Sequence, residues 1–443
     1  MNKTGMTLAA SMLAFSMTTT ALAEDKKGDP FTWGGDVRFR VVNMDEIPLS
    51  SQLGGTILAP WLYHRTRSRL WGRYQMTDNT AFKARVTNEF WDYFNDKDSS
   101  GAQPGVSKRF ISEFVFDEFY LDFTKLLGGK LDLRIGRQAL IYGTGKVILE
   151  GTPGDGSRTI YHNAVRASYK MPDYSVDLFA MANNDEDDFA LHSKERQLAG
   201  YDGRGGGIYI KNNKYSVKQE YYYVFKHEDT HGDGNDADLH TVGARFMPKF
   251  SDRLSANIEL ATQWGERQGG IDFSDAHLFD FTLKYKLPVA ESMKPVADLS
   301  LYYLSGDDPN TTDEEGWHQV WGQWPQFSEL YVYSVIGDGV TANNTSNNFP
   351  GNYSNIITPS VGVSAQLTDK LAGKLRGHMI LADTDDGPGT GKNRGALLAS
   401  KLTYKMDKSW SGHMVYEFLN PGDYYAADED NAHFARFELN YRF

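Results

Sequence analysis

Apolar and polar side chains alternate along most of this chain with the two-residue period of a β-strand. From Trp61 to Gln75 one parity carries Arg65, Arg67, Arg69 and Arg73, and the other carries Leu62, Thr66, Ser68, Leu70 and Tyr74. Residues i and i+2 share a face, so these guanidiniums form a ladder with rungs about 7 Å apart. A soluble sheet would not bury such a ladder in its core. A membrane barrel could, because its outer face must be apolar against lipid while its lumen stays wet.

The alternating segments are joined by connections of two kinds, which themselves alternate. Short ones are Thr77 to Asn79, Gly128 to Lys130, Met171 to Asp173, Asn212 to Lys214, Lys249 to Arg253, Leu287 to Pro295, Thr368 to Lys370 and Met406 to Lys408. Long polar ones are Asp45 to Ala59, Asn95 to Ser112, Gly143 to Thr159, Asn183 to Tyr201, His227 to Ala237, Gly265 to Ile271, Gly306 to Tyr353, Asp383 to Asn393 and Asn420 to Ala432. Tight periplasmic turns and long external loops are the rhythm of an outer-membrane barrel, and following it gives about 18 antiparallel up-and-down strands with both termini periplasmic. Phe327 to Ile336 reads locally as a strand, but a span there would break the even count, so it is assigned to the loop around it. The last strand, His433 to Phe443, places Phe437, Leu439, Tyr441 and Phe443 outward and ends on phenylalanine, similar to the signal read by barrel assembly machinery.

The first 23 residues set Lys3 ahead of the apolar stretch Met6 to Phe15 and finish on Ala21, Leu22, Ala23. That order is a secretory signal with a cut after Ala23, and it is too short and wrongly flanked for a membrane anchor. Residues 24–443 are expected to form one barrel domain, since no linker, heptad run or fixed-period repeat interrupts them. Beyond the signal no apolar run reaches the length of a helical span. Aromatic residues make up 13% of the chain, and girdles at the two membrane interfaces are one place for them. Cysteine is absent, which removes thiol catalysis and thiolate metal sites. A formal net charge of -12 argues against nucleic acid as a partner.

Sorting charges by parity matters more than their sum. On the first three strands Arg38, Arg40, Arg65, Arg67, Arg69, Arg73, Lys83 and Arg85 point inward, opposed there only by Asp36 and Glu89. Closing the barrel brings Lys374, Arg376, Lys401 and Arg436 beside them, against Glu417 and Glu438. The middle strands are mixed: Glu118, Asp122, Asp132, Asp177, Glu220, Glu259, Asp280 and Asp298, with Arg134, Arg166, Lys218 and Arg245. The basic wall reads as a path for an anionic solute, because guanidinium matches carboxylate geometry and stays charged. The plainer reading is cross-strand pairing that stiffens the wall, and it suits the middle strands better.

Loops carry the acid, at Asp185 to Asp188, Glu228 to Asp238, Asp307 to Glu315, Asp383 to Asp386 and Asp428 to Asp430. They are solvated tips, or places for weak calcium binding or bridging to lipopolysaccharide, although none has EF-hand spacing. No other cofactor is expected. Trp317, Trp321, Trp324, Pro325 and Phe327 could stack on sugar rings, form a lid or pack on the barrel rim. Catalytic motifs are missing, with no HExxH or GxSxG, and an outer-membrane lipase would need a serine and a histidine together at the lipid boundary, whereas His378 and His413 point inward by parity.

Two stretches add what periodicity does not. Arg134 to Gly143 (RIGRQALIYG) and Tyr416 to Tyr425 (YEFLNPGDYY) resemble the alginate-export family of outer-membrane porins, as do Asp117 to Phe123 and Tyr303 to Asp307. The resemblance implies an eighteen-stranded barrel that passes an acidic polyuronate through an arginine-rich constriction. It makes Arg38, Arg40, Arg65, Arg67, Arg69 and Arg134 candidates for carboxylate contacts. Arg137 would face lipid with Leu133 and Ile135 unless a bulge intervenes. The chain departs from some relatives in its minimal turn Met406, Asp407, Lys408, so the resemblance does not extend to a plugging periplasmic loop. The sequence therefore reads as an outer-membrane channel for anionic saccharides such as alginate or other uronates. Its alternatives are a general anion-preferring porin for small organic acids or oligosaccharides, a lipase-like barrel enzyme, and an adhesin or scaffold with a closed lumen.

Overall fold

A computed structural model describes residues 29–48, 56–57, 61–94, 114–150, 161–187, 189–192, 201–230, 236–322, 327–334, 354–385, 387–425 and 429–443. The signal segment lies outside them, as do Trp324 and Pro325.

Eighteen long antiparallel strands close into one barrel. They are β1 (Phe31–Asp45), β2 (Trp61–Thr77), β3 (Thr80–Tyr93), β4 (Phe114–Lys125), β5 (Leu131–Gln138), β6 (His162–Lys170), β7 (Tyr174–Asn183), β8 (Asp202–Asn212) and β9 (Lys218–Asp229). They continue as β10 (Ala237–Met247), β11 (Leu254–Arg267), β12 (Ile271–Lys286), β13 (Val296–Leu304), β14 (Ile356–Gln366), β15 (Leu371–Leu381), β16 (Asn393–Lys405), β17 (Trp410–Asn420) and β18 (Ala432–Arg442). Each pairs with its sequence neighbours, and the seam closes by β1 against β18, from Asp36 opposite Arg442 to Asp45 opposite His433. At the seam's foot Gly35 exchanges two backbone hydrogen bonds with Phe443 at 3.0 and 3.1 Å. A Cβ on Gly35 would stand 2.5 Å from the Phe443 ring, so the terminal phenylalanine occupies space that only glycine leaves.

One parity of each strand is apolar and exposed, with Phe39 at 51%, Leu70 at 56% and Val361 at 62%. That is the inverse of a soluble protein and is what lipid requires. Aromatic rings gather at both rims. Trp33, Trp410, Tyr441 and Phe443 form a chain at the turn end, with centroids 4.7 to 6.2 Å apart. Tyr223, His240 and Trp264 stack at the loop end.

The turns match the expected short connections, and the Asp407 carboxylate accepts from the backbone of Ser409 and Trp410 in the last of them. Those two hydrogen bonds hold its pKa below the usual carboxylate value. One expected long loop is short: β11 and β12 are joined by Gln268, Gly269 and Gly270, and both glycines have positive φ. Residues 329–334, part of the segment that read locally as a strand, form a turn of helix inside the long loop after β13.

The hydrophobic core lies inside the loop-side half of the barrel. Met44, Tyr63, Val224, Leu239, Leu304, Ile356, Leu397, Leu419 and Phe434 turn inward from the wall, and Tyr142, Val147, Trp317, Val320, Trp321, Leu330 and Tyr331 from two infolded loops complete the cluster. The interior is thus not uniformly wet; apolar packing fills part of its outer half.

Candidate functional site

Every cation that parity aimed inward in β1 to β3 is on the inner face. Arg38, Arg40, Arg67 and Arg85 are buried, and the apolar neighbours Phe39, Val41 and Leu70 are exposed. They are not a row of free guanidiniums. Glu89 accepts from Arg38 at 2.8 Å and from Arg65 at 2.6 Å. Asp36 accepts from Arg67 at 2.9 Å and Arg69 at 2.7 Å. Arg40 reaches across the seam to Glu438 at 2.6 Å, Lys83 pairs with Glu118 at 2.6 Å, and Arg85 pairs with Asp117 at 2.7 Å. Arg73 bonds the Gln75 amide at 2.7 Å.

Asp117 is a member that alternation alone assigns to the lipid side. Between Arg85 opposite Glu118 and Val86 opposite Phe116, one extra residue enters β4. The bulge reverses parity locally, so both Asp117 and Glu118 face inward. The basic excess is therefore more fully neutralised than the expected opposition by Asp36 and Glu89. Eight cations, Arg38, Arg40, Arg65, Arg67, Arg69, Arg73, Lys83 and Arg85, face five carboxylates, Asp36, Glu89, Asp117, Glu118 and Glu438.

The remaining candidates also lie on the inner parity. Arg134 pairs with Asp122 at 2.6 Å and lies 4.0 Å from the Tyr120 ring centroid. Arg166 stands directly opposite Arg134. Arg436 reaches Glu329 in the infolded helix turn at 2.7 Å. Arg376 pairs with Asp298 and donates to the Ser300 hydroxyl at 2.8 Å. That link crosses β14 at Gly362, where a Cβ would come within 2.9 Å of Asp298 and 3.0 Å of Arg376. Lys374 and Lys401 face each other across β15 and β16. Arg137 is on the lipid-side parity but buried, because Asp187 pairs with it at 2.5 Å and the Phe189 ring lies 5.0 Å away. No bulge turns it inward; a loop covers it instead.

Two infolded loops narrow the barrel from its loop end. The first holds the short pairing of Leu140–Ile141 with Leu149–Glu150. Tyr142 stacks on Tyr209 at 4.5 Å, Thr144 donates to Glu259 at 2.8 Å, and Lys146 lies 3.9 Å from the Tyr302 ring centroid. The second crosses the interior. Near Trp321 it is held by Lys226, fully buried, which donates to Val320 O at 2.6 Å and Tyr201 Oη at 2.8 Å and pairs with Glu228 at 2.6 Å. Burial and the Glu228 carboxylate push the Tyr201 phenol up to about 12, so it stays a neutral hydroxyl. On the far wall Glu417 accepts from Ser328 Oγ at 2.6 Å and from the backbone N–H of Leu330 and Glu329 at 2.8 and 3.1 Å. The hydroxyls of Tyr63 and Tyr333 meet at 2.9 Å beside this anchor.

Of the aromatic loop residues, Trp317 and Trp321 are buried in this interior packing and Phe327 lies 5.3 Å from the His378 ring, so they pack inside the barrel. Ser360 and His378 are hydrogen bonded at 2.8 Å through Nδ1 on the inner wall, away from lipid. Among the described residues no carboxylate bonds the other ring nitrogen, so the pair lacks the orienting acid of a hydrolytic triad.

Sequence reading missed Asp117, Lys226, Glu329 and Lys284. Lys284 shares parity with Asp280 on β12 and was legible by counting; Asp117 needed the bulge, and the others needed the tertiary course of the loops.

A family model described as alginate export matches residues 34–437. Among curated proteins no relative matches. Among solved structures, OccK11 (OpdR) of Pseudomonas aeruginosa superposes with a TM-score of 0.53 at 11% identity, covering 94% of this chain and 97% of that one. OccAB4 of Acinetobacter baumannii gives 0.56 at 11% over 93% and 98%. OpdK of Pseudomonas aeruginosa, solved with vanillate, gives 0.55 at 12% over 93% and 98%. At such identity these neighbours show the fold alone. The family match over nearly the whole chain, on a closed eighteen-stranded barrel with a lipid-facing apolar surface, shows that the chain belongs to the alginate export family and is a channel of the bacterial outer membrane.

Proposed function

We propose that this channel passes anionic saccharides, uronate oligomers or polymers, along the inner wall formed by β18, β1, β2 and β3. The observation that carries the reading is the surplus of cations there: seven of the eight share five carboxylates while Arg73 bonds the Gln75 amide, and each acid except Asp117 has two basic groups, or a base and a histidine, within 3.5 Å. Paired charges of one wall leave a net positive field, and a field spread over several sites lets an anion enter without being trapped at one. Arg65, Arg69 and Lys83 keep more exposed side chains than Arg38 or Arg67 and would meet the solute first, while the buried arginines hold the carboxylates in place.

A second reading, a pore for small carboxylic acids, is favoured by the two infolded loops, which narrow the outer half, and by the structural likeness to OpdK, solved with vanillate. Reversal potentials in planar bilayers under a KCl gradient test both. Anion preference is expected, reduced in the Arg65→Ser, Arg67→Ser, Arg69→Ser variant once gel mobility shows it folded. Cation preference in the unaltered protein overturns the anion path. Current block by oligouronates at concentrations where monouronates do not block supports the saccharide reading over the small-acid one.

A further inference from the structure

On the inner wall, basic residues stand directly opposite one another at five cross-strand positions among the described residues: Arg38 with Arg67, Arg40 with Arg65, Arg73 with Lys83, Arg134 with Arg166, and Lys374 with Lys401. Like charges in such pairs repel, with Cβ atoms about 5 Å apart, and destabilise a sheet. In four of these pairs at least one member has a carboxylate within ion-pair distance: Glu89, Asp36, Glu438, Glu118 or Asp122. Lys374 and Lys401 have none among the described residues. The acids whose fields reach them are committed elsewhere, Glu417 to Ser328 and two backbone N–H groups, Glu329 to Arg436, and Glu438 to Arg40.

Their place in the barrel gives this repulsion a use. His378 and Ile380, on the same parity as Lys374, are buried under the infolded loops, whereas Lys374 and Lys401 are exposed. An exposed side chain on the inward parity of a closed barrel faces enclosed water, so the pair lines an aqueous space on the turn-side half. Lys284 on β12, directly opposite Asp298 on β13, adds a third ammonium whose field reaches Lys374, and Arg376 is held by Asp298 and Ser300.

We propose that Lys374 and Lys401, flanked by Lys284, form a binding site for a chain bearing several carboxylates, such as an oligouronate, entering or leaving at the periplasmic end. The inference rests on the anion reading above and moves its recognition step from the paired arginines to lysines with no ion pair among the described residues. A carboxylate between Lys374 and Lys401 relieves the repulsion, as Glu89 offsets the charge of Arg38 and Arg65, each of which stands opposite another arginine.

The test compares the unaltered channel with Lys374→Gln, Lys401→Gln in planar bilayers, using a tetrauronate added on the turn side as blocker. The double variant is expected to need about tenfold more tetrauronate for half block, to keep anion preference in KCl from the arginine wall, and to unfold in urea no earlier than the parent. Unchanged block in the double variant overturns the site while leaving the anion reading intact. A lower urea midpoint with unchanged block assigns the lysines a structural role and also overturns it. Cation preference and no block in the unaltered channel would instead remove the reading on which the site rests.

Discussion

Arginine dominates this interior because one planar fork can bond a carboxylate with two parallel donors while remaining charged. Glu89 shows the density that results: buried at 2% exposure, it takes Arg38 from β1 and Arg65 from β2, so three strands meet at one carboxylate. Removing the acid takes an ion-pair partner from buried Arg38 and from half-buried Arg65. Glu89→Gln is expected to lower unfolding stability in lipid vesicles by about 3 kcal/mol or more, the usual scale for breaking a buried pair, as read by urea titration. A change within a few tenths of a kcal/mol would mean water already screens the site. The identities of these arginines and their inward parity were legible in the sequence, because arginine fills every position of one parity from Arg65 to Arg73 except Trp71. Their partners were only half legible: Asp36 and Glu89 share the wall, but Asp117 depends on a one-residue bulge that no local pattern announces.

Among the elements, strands were easier to read than loops. A strand's period follows from backbone geometry and lipid contact, so β18 could be drawn from Phe437, Leu439 and Tyr441 alone. Loop course depends on distant partners. Residues 329–334 look strand-like in isolation, yet the Glu417 carboxylate on β17 collects the N–H groups of Glu329 and Leu330 and starts a helical turn there. Gly265 to Ile271 looks like a long loop by polarity, but two glycines with positive φ close it as a tight turn. The infolded segment makes its own test. Glu417→Ala should release it from the wall, giving higher mean conductance and more frequent fluctuations in single-channel records. Traces identical to the parent would show that Lys226 and Arg436 suffice to anchor the loop.

At the scale of the whole molecule, charge is segregated. The chain carries -12 overall, yet the seam wall holds a cation surplus, so much of the acid sits at the loop end, as at Asp307, Asp308, Asp313, Glu314 and Glu315. Selectivity from such a field should weaken with salt, because the screening length falls from about 10 Å at 0.1 M to about 3 Å at 1 M. The anion-to-cation permeability ratio is expected to drop toward one across that range of KCl. A constant ratio would place selectivity in pore size rather than in charge.

By itself the sequence determined the barrel, its strand number, which parity meets lipid and which bases point inward, since each follows from a local period and the demand that backbone polar groups be satisfied within a membrane. Only the tertiary structure decided how far those bases are neutralised, where apolar packing fills the interior, and why Lys374 and Lys401 have no acid at ion-pair distance among the described residues. These depend on shear across the seam, a bulge in β4 and loops folded back through the barrel, all of which bring together residues far apart in the chain.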